Sequence, residues 1–484
     1  MTEEMKNIIN AQEQHMVIQS KAGSGKSSTM LEYVIAHPKE RILFLVYNKA
    51  MAKDFSSRLK GVEHRCDVRT IHSLAYRWYL SKRYPKKGFQ NLNIVDIQNI
   101  LNLKSEGYEE LTKIKFYYNM FLTSRACKLD ELELLEKSDK KYMKYVEKLW
   151  NYFISNKSDT MQHNVYLKMF QLSKVKLDYD TIILDEANDS NACMLDILIT
   201  NMDKKVIAVG DSHQMINSFN FNIDGLRLLR DEYNFKEYNL TNSFRVSEEV
   251  AKISSSYMRN MYEDNTFTFK GLGKTVINRL NLEQASSSNQ IHLLCRTRLG
   301  GLKQIADVLM SDSYKRIYYV GGLKSFGIDE IKRILMYHGN VYIGGKKFHL
   351  SALRKMKAEG LDDPEINRIL SIYDFVKKEQ YIIDLLEGSE VYDEKDADII
   401  VLTSHSSKGL TLENVLLGDD FPPIEETKEK RFMKQHSYMQ AMADSEANLL
   451  YVALTRATGI LDYGDVFKKK SERKYVKTDL DYLS

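Results

Sequence analysis

Cysteine is scarce in this 484-residue sequence: Cys66, Cys127, Cys193 and Cys295 lie far apart, and none forms a CxxC pair. That spacing argues against a zinc site or a disulfide framework and for a reducing compartment. Long apolar stretches are also missing; the longest runs are strand-sized, so no membrane span is expected. The opening MTEEMKNIIN is acidic and has no apolar h-region, so no signal peptide is expected. The expected location is cytoplasmic, in a bacterial or phage-infected host cytosol. No repeat with a period of about 20–50 residues and no low-complexity linker is present, which excludes a solenoid. Only five prolines, beside abundant Lys, Asn and Tyr, suggest an AT-rich coding genome. Nor is there a strong excess of either charge: 70 basic against 66 acidic residues leave +4. That balance permits nucleic-acid binding without demonstrating it, because a phosphate-binding face would be local.

What is present is the material of a folded protein. Hydrophobic content of 43% and charged content of 28% are those of a globular chain, and the length predicts two to four units. Near-continuous apolar runs recur at HMVIQS (15–20), RILFLVY (41–47), TIILD (181–185), KVIAVGD (205–211), IHLLCRT (291–297), IYYVGG (317–322), DIIVLTSH (398–405) and VLLGDD (415–420). Such runs read as buried parallel strands, and helical patterns between them predict an α/β fold. The runs cluster into two α/β lobes, each interrupted. Residues 85–170 carry lysine- and aromatic-rich helical patterns, and the stretch 109–156 is a candidate DNA-facing unit. Residues 325–388 read as short helices around a turn-rich piece, NVYIGGKKFHL (340–350).

Two segments carry chemistry. SKAGSGKSS (20–28) follows a strand and precedes the helical pattern STMLEYVIAH, the context of a phosphate-binding loop. Ala22, Gly23, Ser24, Gly25, Lys26, Ser27 and Ser28 are its candidate nucleotide contacts. Lys26 would reach the outer phosphates and Ser27 would ligate Mg²⁺, although Ser20 stands where the strict pattern has glycine. The second segment, TIILDEANDSN (181–191), runs a strand into Asp185 and Glu186, one carboxylate for the magnesium shell and one to orient or deprotonate water. A third acid, Asp189, follows Asn188.

Eight segments in register extend this pattern: AGSGKSS (22–28), FLVYNKAMA (44–52), RTIHSLAY (69–76), LDEAND (184–189), VGDSHQ (209–214), LTNSFR (240–245), LTSHSSKGL (402–410) and EANLLYVALTRA (446–457). Together they resemble the UvrD/Rep-type superfamily-one DNA helicases, most closely the F-box DNA helicase-like branch. The resemblance implies two RecA-like P-loop lobes that sandwich ATP with Mg²⁺: residues 1–80 and 170–246, then 247–322 and 390–484. Residues 81–169 would be a helical accessory insert and 323–389 a small one. It assigns Lys26, Asp185, Glu186, Gln214, Arg245 and Arg456 to hydrolysis, Gln214 as γ-phosphate sensor and the arginines as fingers. It places Phe244 on adenine, and Tyr47, Asn48, Lys49, Thr70, His72, Phe219, Thr403, His405 and Lys408 on DNA. Asp185 and Ser27 would hold the metal.

The sequence departs from the family at several places. The adenine-reading glutamine falls near Met5, whose thioether lacks the amide's donor and acceptor. Gln12 and Gln14 are the nearby amides. Asn217 replaces an aromatic, Asn220 an arginine that links ATP to DNA, Thr411 a glutamate that contacts the ribose, with Glu413 nearby, and Asn188 a glutamine. The hydrolytic residues are intact, so the expected activity is an ATP-dependent helicase or translocase in replication, repair or protein displacement. It would move 3′ to 5′ on single-stranded DNA and at single-strand/duplex junctions, as a monomeric motor. The alternatives are a translocase that does not unwind and an ATP-gated recruitment subunit of a phage replication or defence complex.

Overall fold

The computed structural model describes residues 1–59, 61, 65–80, 88–89, 91–103, 107–134, 136–155, 158, 160–311, 314–336, 340–343, 346–358, 364–376, 381–433, 437–468 and 472. The chain divides into two compact units, Met1–Asn242 with Gln435–Ser445, and Ser243–Lys434 with Glu446–Ser484.

The first unit is built on six parallel strands: β1 (His15–Ser20), β2 (Ile42–Val46), β3 (Cys66–Thr70), β4 (Thr181–Leu184), β5 (Lys205–Gly210) and β6 (Lys236–Leu240). Their order is β6-β1-β5-β4-β2-β3. Both faces are covered, which is why β1, β2, β4 and β5 read as unbroken apolar runs. Alternate residues serve opposite cores. Met16, Ile18, Phe44, Ile183 and Ile207 pack against α1 (Glu3–Ile9), α2 (Lys26–Ala36) and α3 (Lys49–Arg58). Val17, Leu43, Leu45, Ile182 and Ala208 face the other core, which includes the insert. The insert's helices Tyr108–Thr123 and Met143–Ile154 turn Tyr117, Tyr118, Phe121 and Phe153 into that core. Those aromatics, a candidate DNA face by sequence, are interior packing; of the lysines beside them, Lys144 and Lys148 are exposed and Lys113 pairs with the buried Asp139.

The second unit repeats the plan with β7 (Val276–Ile277), β8 (Ile291–Cys295), β9 (Ile317–Tyr319), β10 (Ile399–Thr403), β11 (Val415–Leu417) and β12 (Ile460–Asp462). All pairs are parallel, in the order β7-β12-β11-β8-β10-β9. Two parallel six-stranded sheets are the RecA-like arrangement expected. The stretch 340–350 differs from its turn-rich reading: Asn340–Ile343 pairs antiparallel with Lys346–His349. Among the described residues no helix is long and apolar enough to cross a membrane.

One close approach holds the first sheet to its functional edge. A Cβ on Gly210, the last residue of β5, would lie 2.2 Å from Asn188 Oδ1 and 3.3 Å from Ala187 N. Asn188 is fully buried, and its Oδ1 is engaged by the Asp211 N–H. Gly210→Ala is therefore expected to lower stability by about 1–3 kcal/mol, read as a reduced denaturation midpoint. An unchanged midpoint would mean that the turn after β4 yields freely.

Candidate nucleotide and nucleic-acid site

Parallel α/β sheets gather the loops at the carboxyl ends of their strands on one edge. In the first unit that edge collects the phosphate loop after β1, Tyr47 after β2, His72 after β3, Asp185 and Glu186 after β4, and Gln214 after β5. Residues remote in sequence therefore meet without long-range design.

The phosphate loop needs two left-handed backbones, and glycine supplies both: φ is 71° at Gly23 and 80° at Gly25. Gly25 is the N-cap of α2 and no side chain caps that end, so the helix's first N–H groups are left for an anion. Ser24 Oγ is buried without a hydrogen-bond partner among the described residues. Ser28 Oγ accepts from Arg58 Nη2 at 3.2 Å. Ser20, the mismatch to the strict motif, donates Oγ–H to the Gly210 carbonyl at 2.7 Å and ties β1 to β5.

Lys26 lies between the two strand-end acids. Its Nζ is 3.1 Å from Asp185 Oδ1 and also hydrogen-bonds Glu186 Oε1. Burial works against the lysine's charge, but Asp185 and Glu186 outweigh it and hold the ammonium above its ordinary range. Burial pushes the Asp185 carboxyl up, with Lys26 pulling it back. Glu186 sits at φ 54°, a left-handed conformation that costs a non-glycine residue energy. Asp185 Oδ1 accepts from the Glu186 N–H at 3.0 Å, which steadies the turn.

Asn188 joins this turn to the sensor strand: its Oδ1 accepts the Asp211 N–H at 3.1 Å. The shorter amide suits a site beneath Gly210. Asp211, which the sequence reading passed over, then orders the sensor loop by accepting from the His213 N–H at 3.1 Å and Gln214 Nε2 at 2.6 Å. Burial alone would raise Asp211; hydrogen bonds from His213 and Gln214 and the charge of Lys21 hold it below the usual carboxylate range. Gln19 Oε1 accepts from Ser212 Oγ at 3.1 Å, so the strands bearing phosphate loop and sensor are also linked directly.

A cavity of about 460 Å³ opens beside the acids. Asp185, Glu186 and Asp189 line it together with Tyr47, His72, Asn119, Asn164 and Phe219. Tyr47 and Phe219 are about half exposed. Burial holds His72 below the usual imidazole range, and its Nε2 lies 3.3 Å from Asn164 Oδ1. Asn48 and Thr70 act as N-caps, accepting the Met51 and Ser73 N–H groups at 2.9 Å and 3.1 Å. Asn217 bridges two parts of the cavity wall. Its Nδ2 donates to Asp189 Oδ2 at 2.9 Å and lies 3.5 Å from Tyr47 Oη. The Asp189 N–H in turn donates to the Glu186 carbonyl at 2.9 Å.

Residues 1–234, which contain this whole edge, match the model of the UvrD/REP helicase N-terminal domain. The likeness is to the UvrD-like helicases, and the curated relatives extend it over most of the chain. It is 26% identical to F-box DNA helicase 1 of Gallus gallus, over 94% of this chain and 48% of that protein. It is 25% identical to F-box DNA helicase protein 1 of Schizosaccharomyces pombe, over 97% of this chain and 58% of that protein. The chain spans about half the length of the curated relatives it matches.

In this UvrD-like chain the second unit brings both candidate arginines to one residue. Arg245 Nη1 donates to the Thr455 carbonyl at 3.2 Å, and Arg456 Nη2 to Thr455 Oγ1 at 3.2 Å. Arg456 is 1% exposed and also donates to the carbonyls of Val452 and Leu410. Phe244 is 49% exposed, unlike a core ring. Thr403 Oγ1 shares a hydrogen bond with Ser406 Oγ at 2.9 Å, and His405 and Lys408 follow in the partly exposed loop after β10. Met5 is a core residue packed with Ile8 and Met16, and the neighbouring Glu4 fastens Thr241 and Asn242. Gln12 is exposed and donates to the Asn10 carbonyl.

Glu186→Gln is expected to lower ATP turnover by on the order of 100-fold, as for loss of a general base, while binding of a fluorescent nucleotide analogue persists. Unchanged turnover would remove Glu186 from the chemistry.

Proposed function

We propose that the chain is an ATP-driven motor on single-stranded DNA, a helicase or translocase moving 3′ to 5′. The observation that carries this reading is the continuity of the cavity: the hydrolytic acids share one wall system with Tyr47, His72 and Phe219. ATP with Mg²⁺ fits the donor set, which offers an uncapped helix N-terminus, the buried Ser24 hydroxyl, Lys26, and oxygens of Ser27 and Asp185 to hold the ion. The bound ion would offset phosphate charge.

Lys26 would exchange its two carboxylate partners for the outer phosphates, leaving Glu186 to orient and deprotonate the attacking water. Gln214, held by Asp211, would sense the terminal phosphate. Arg245 and Arg456 would offset charge on the transferring group, and Phe244 would stack on adenine, all by family resemblance. Sequence-tolerant stacking on Tyr47 and Phe219, with polar help from His72, Asn48, Lys49, Thr70, Thr403, His405 and Lys408, suits a motor that must ignore base identity. Such a motor would serve replication, repair or the clearing of proteins from single strands.

Asn217 supports a second reading, translocation without unwinding. In place of an aromatic and an arginine, the link from Glu186 through Asp189 to Tyr47 runs through one small amide. Strand displacement and streptavidin removal, measured on the same protein, separate the two activities: a helicase does both and a translocase only the second. Asn217→Ala is expected to reduce the ratio of DNA-stimulated to DNA-free ATP turnover about fivefold or more. An unchanged ratio would show that stimulation travels by another route.

A further inference from the structure

Beyond the family motifs, the insert carries a second group of rings that continues from the cavity. Gly88–Phe89 forms a two-residue parallel ladder with Thr160–Met161, and this fixes Phe89 over His163. The two rings stack with centroids 4.7 Å apart and planes 11° from parallel. Tyr76 meets Phe89 at 6.0 Å, and both rings meet the buried Tyr166, at 6.2 Å and 5.8 Å. Tyr166 Oη also bonds His163 Nδ1 at 2.9 Å, which holds the imidazole plane. His72, on the cavity wall, touches the same group through Tyr166 at 6.2 Å and His163 at 6.1 Å.

Phe89, Trp78 and Tyr76 are 42%, 40% and 39% exposed, an unusual density of open aromatic surface for one small ladder. Burial, then the charge of Lys49, keep His163 below the ordinary imidazole range, so it presents a neutral ring near pH 7. Described cations accompany the rings: Arg77 is exposed next to Tyr76 in the chain, and the charge of Lys49 reaches His163. Rings with positive charge beside them match a strand with flat bases and a phosphate backbone; an apolar protein partner would not call for that charge.

We propose that Phe89, backed by His163 and flanked by Tyr76, is a base-stacking platform that lengthens the single-stranded DNA track beyond the cavity. The platform rests on the motor reading above and adds Phe89 and His163, which lie outside the family segments. It sets how many nucleotides the first unit holds.

The test is fluorescence anisotropy of the full chain with labelled oligothymidylates from about 8 to about 16 nucleotides. The unaltered chain is expected to bind more tightly as length increases. Phe89→Ala combined with Tyr76→Ala is expected to weaken the longer oligonucleotides about tenfold and the shortest little. Phe89→Trp, which keeps a stacking face, is expected to restore the length dependence, separating lost stacking from lost folding. Affinities in the double variant that match those of the unaltered chain at every length, or equal weakening of short and long oligonucleotides, would overturn the platform. DNA stimulation of ATP turnover in the unaltered chain tests the motor reading separately, so each reading fails on its own result.

Discussion

The arrangement depends on one buried ionic group, Lys26 held between Asp185 and Glu186. Taking three charges out of water is costly, and such clusters contribute little net stability compared with apolar packing. Their persistence at a strand end needs another reason, and the surroundings supply it. The lysine stands at an uncapped helix N-terminus behind two left-handed glycines, where phosphate would replace the carboxylates as its partner. Glu186 holds a strained backbone angle there. Charge, strain and an uncapped helix N-terminus at one place accord with the reaction centre proposed above.

Around that group the sheet edge works as a set of short hydrogen-bonded links. Ser20 reaches Gly210, Asn188 reaches Asp211, Asp211 holds Gln214, and Asn217 spans Asp189 and Tyr47. Each link is local, yet together they join the loop that would hold phosphate to the loop that would sense it and to a ring that would meet DNA. Asn188 and Asn217 do this where the family has bulkier residues, and Ser20 where the strict motif has glycine. The approach of Asn188 to Gly210 leaves no space for more.

Much of this was legible in the chain itself. The buried strands announced themselves because both sheet faces are covered, which removes the polar alternation a half-exposed strand would show. Two strands of the first sheet escaped notice because they lack that burial. Lys236–Leu240 is a largely exposed edge, and Cys66–Thr70 alternates charge through its middle. The phosphate loop and the acid pair both stand at strand ends, because each needs a fixed local geometry. The links were not legible. Ser20, Asn188 and Asn217 looked like departures from a pattern, since a sequence gives identity and spacing but not which carbonyl or carboxylate a side chain will face. Met5 was read as a lost adenine contact, yet it is a packing residue of the first unit's core. The aromatic helices of the insert misled in the same way, because rings suited to bases are equally suited to a core.

The central claim is that hydrolysis at Asp185 and Glu186 answers to a strand bound at Tyr47, His72 and Phe219. Steady-state ATP turnover of the purified chain, titrated with single-stranded DNA, tests it most directly. The account predicts a rate that climbs to a plateau as the strand saturates. A measurable rate that stays flat across the titration would contradict it.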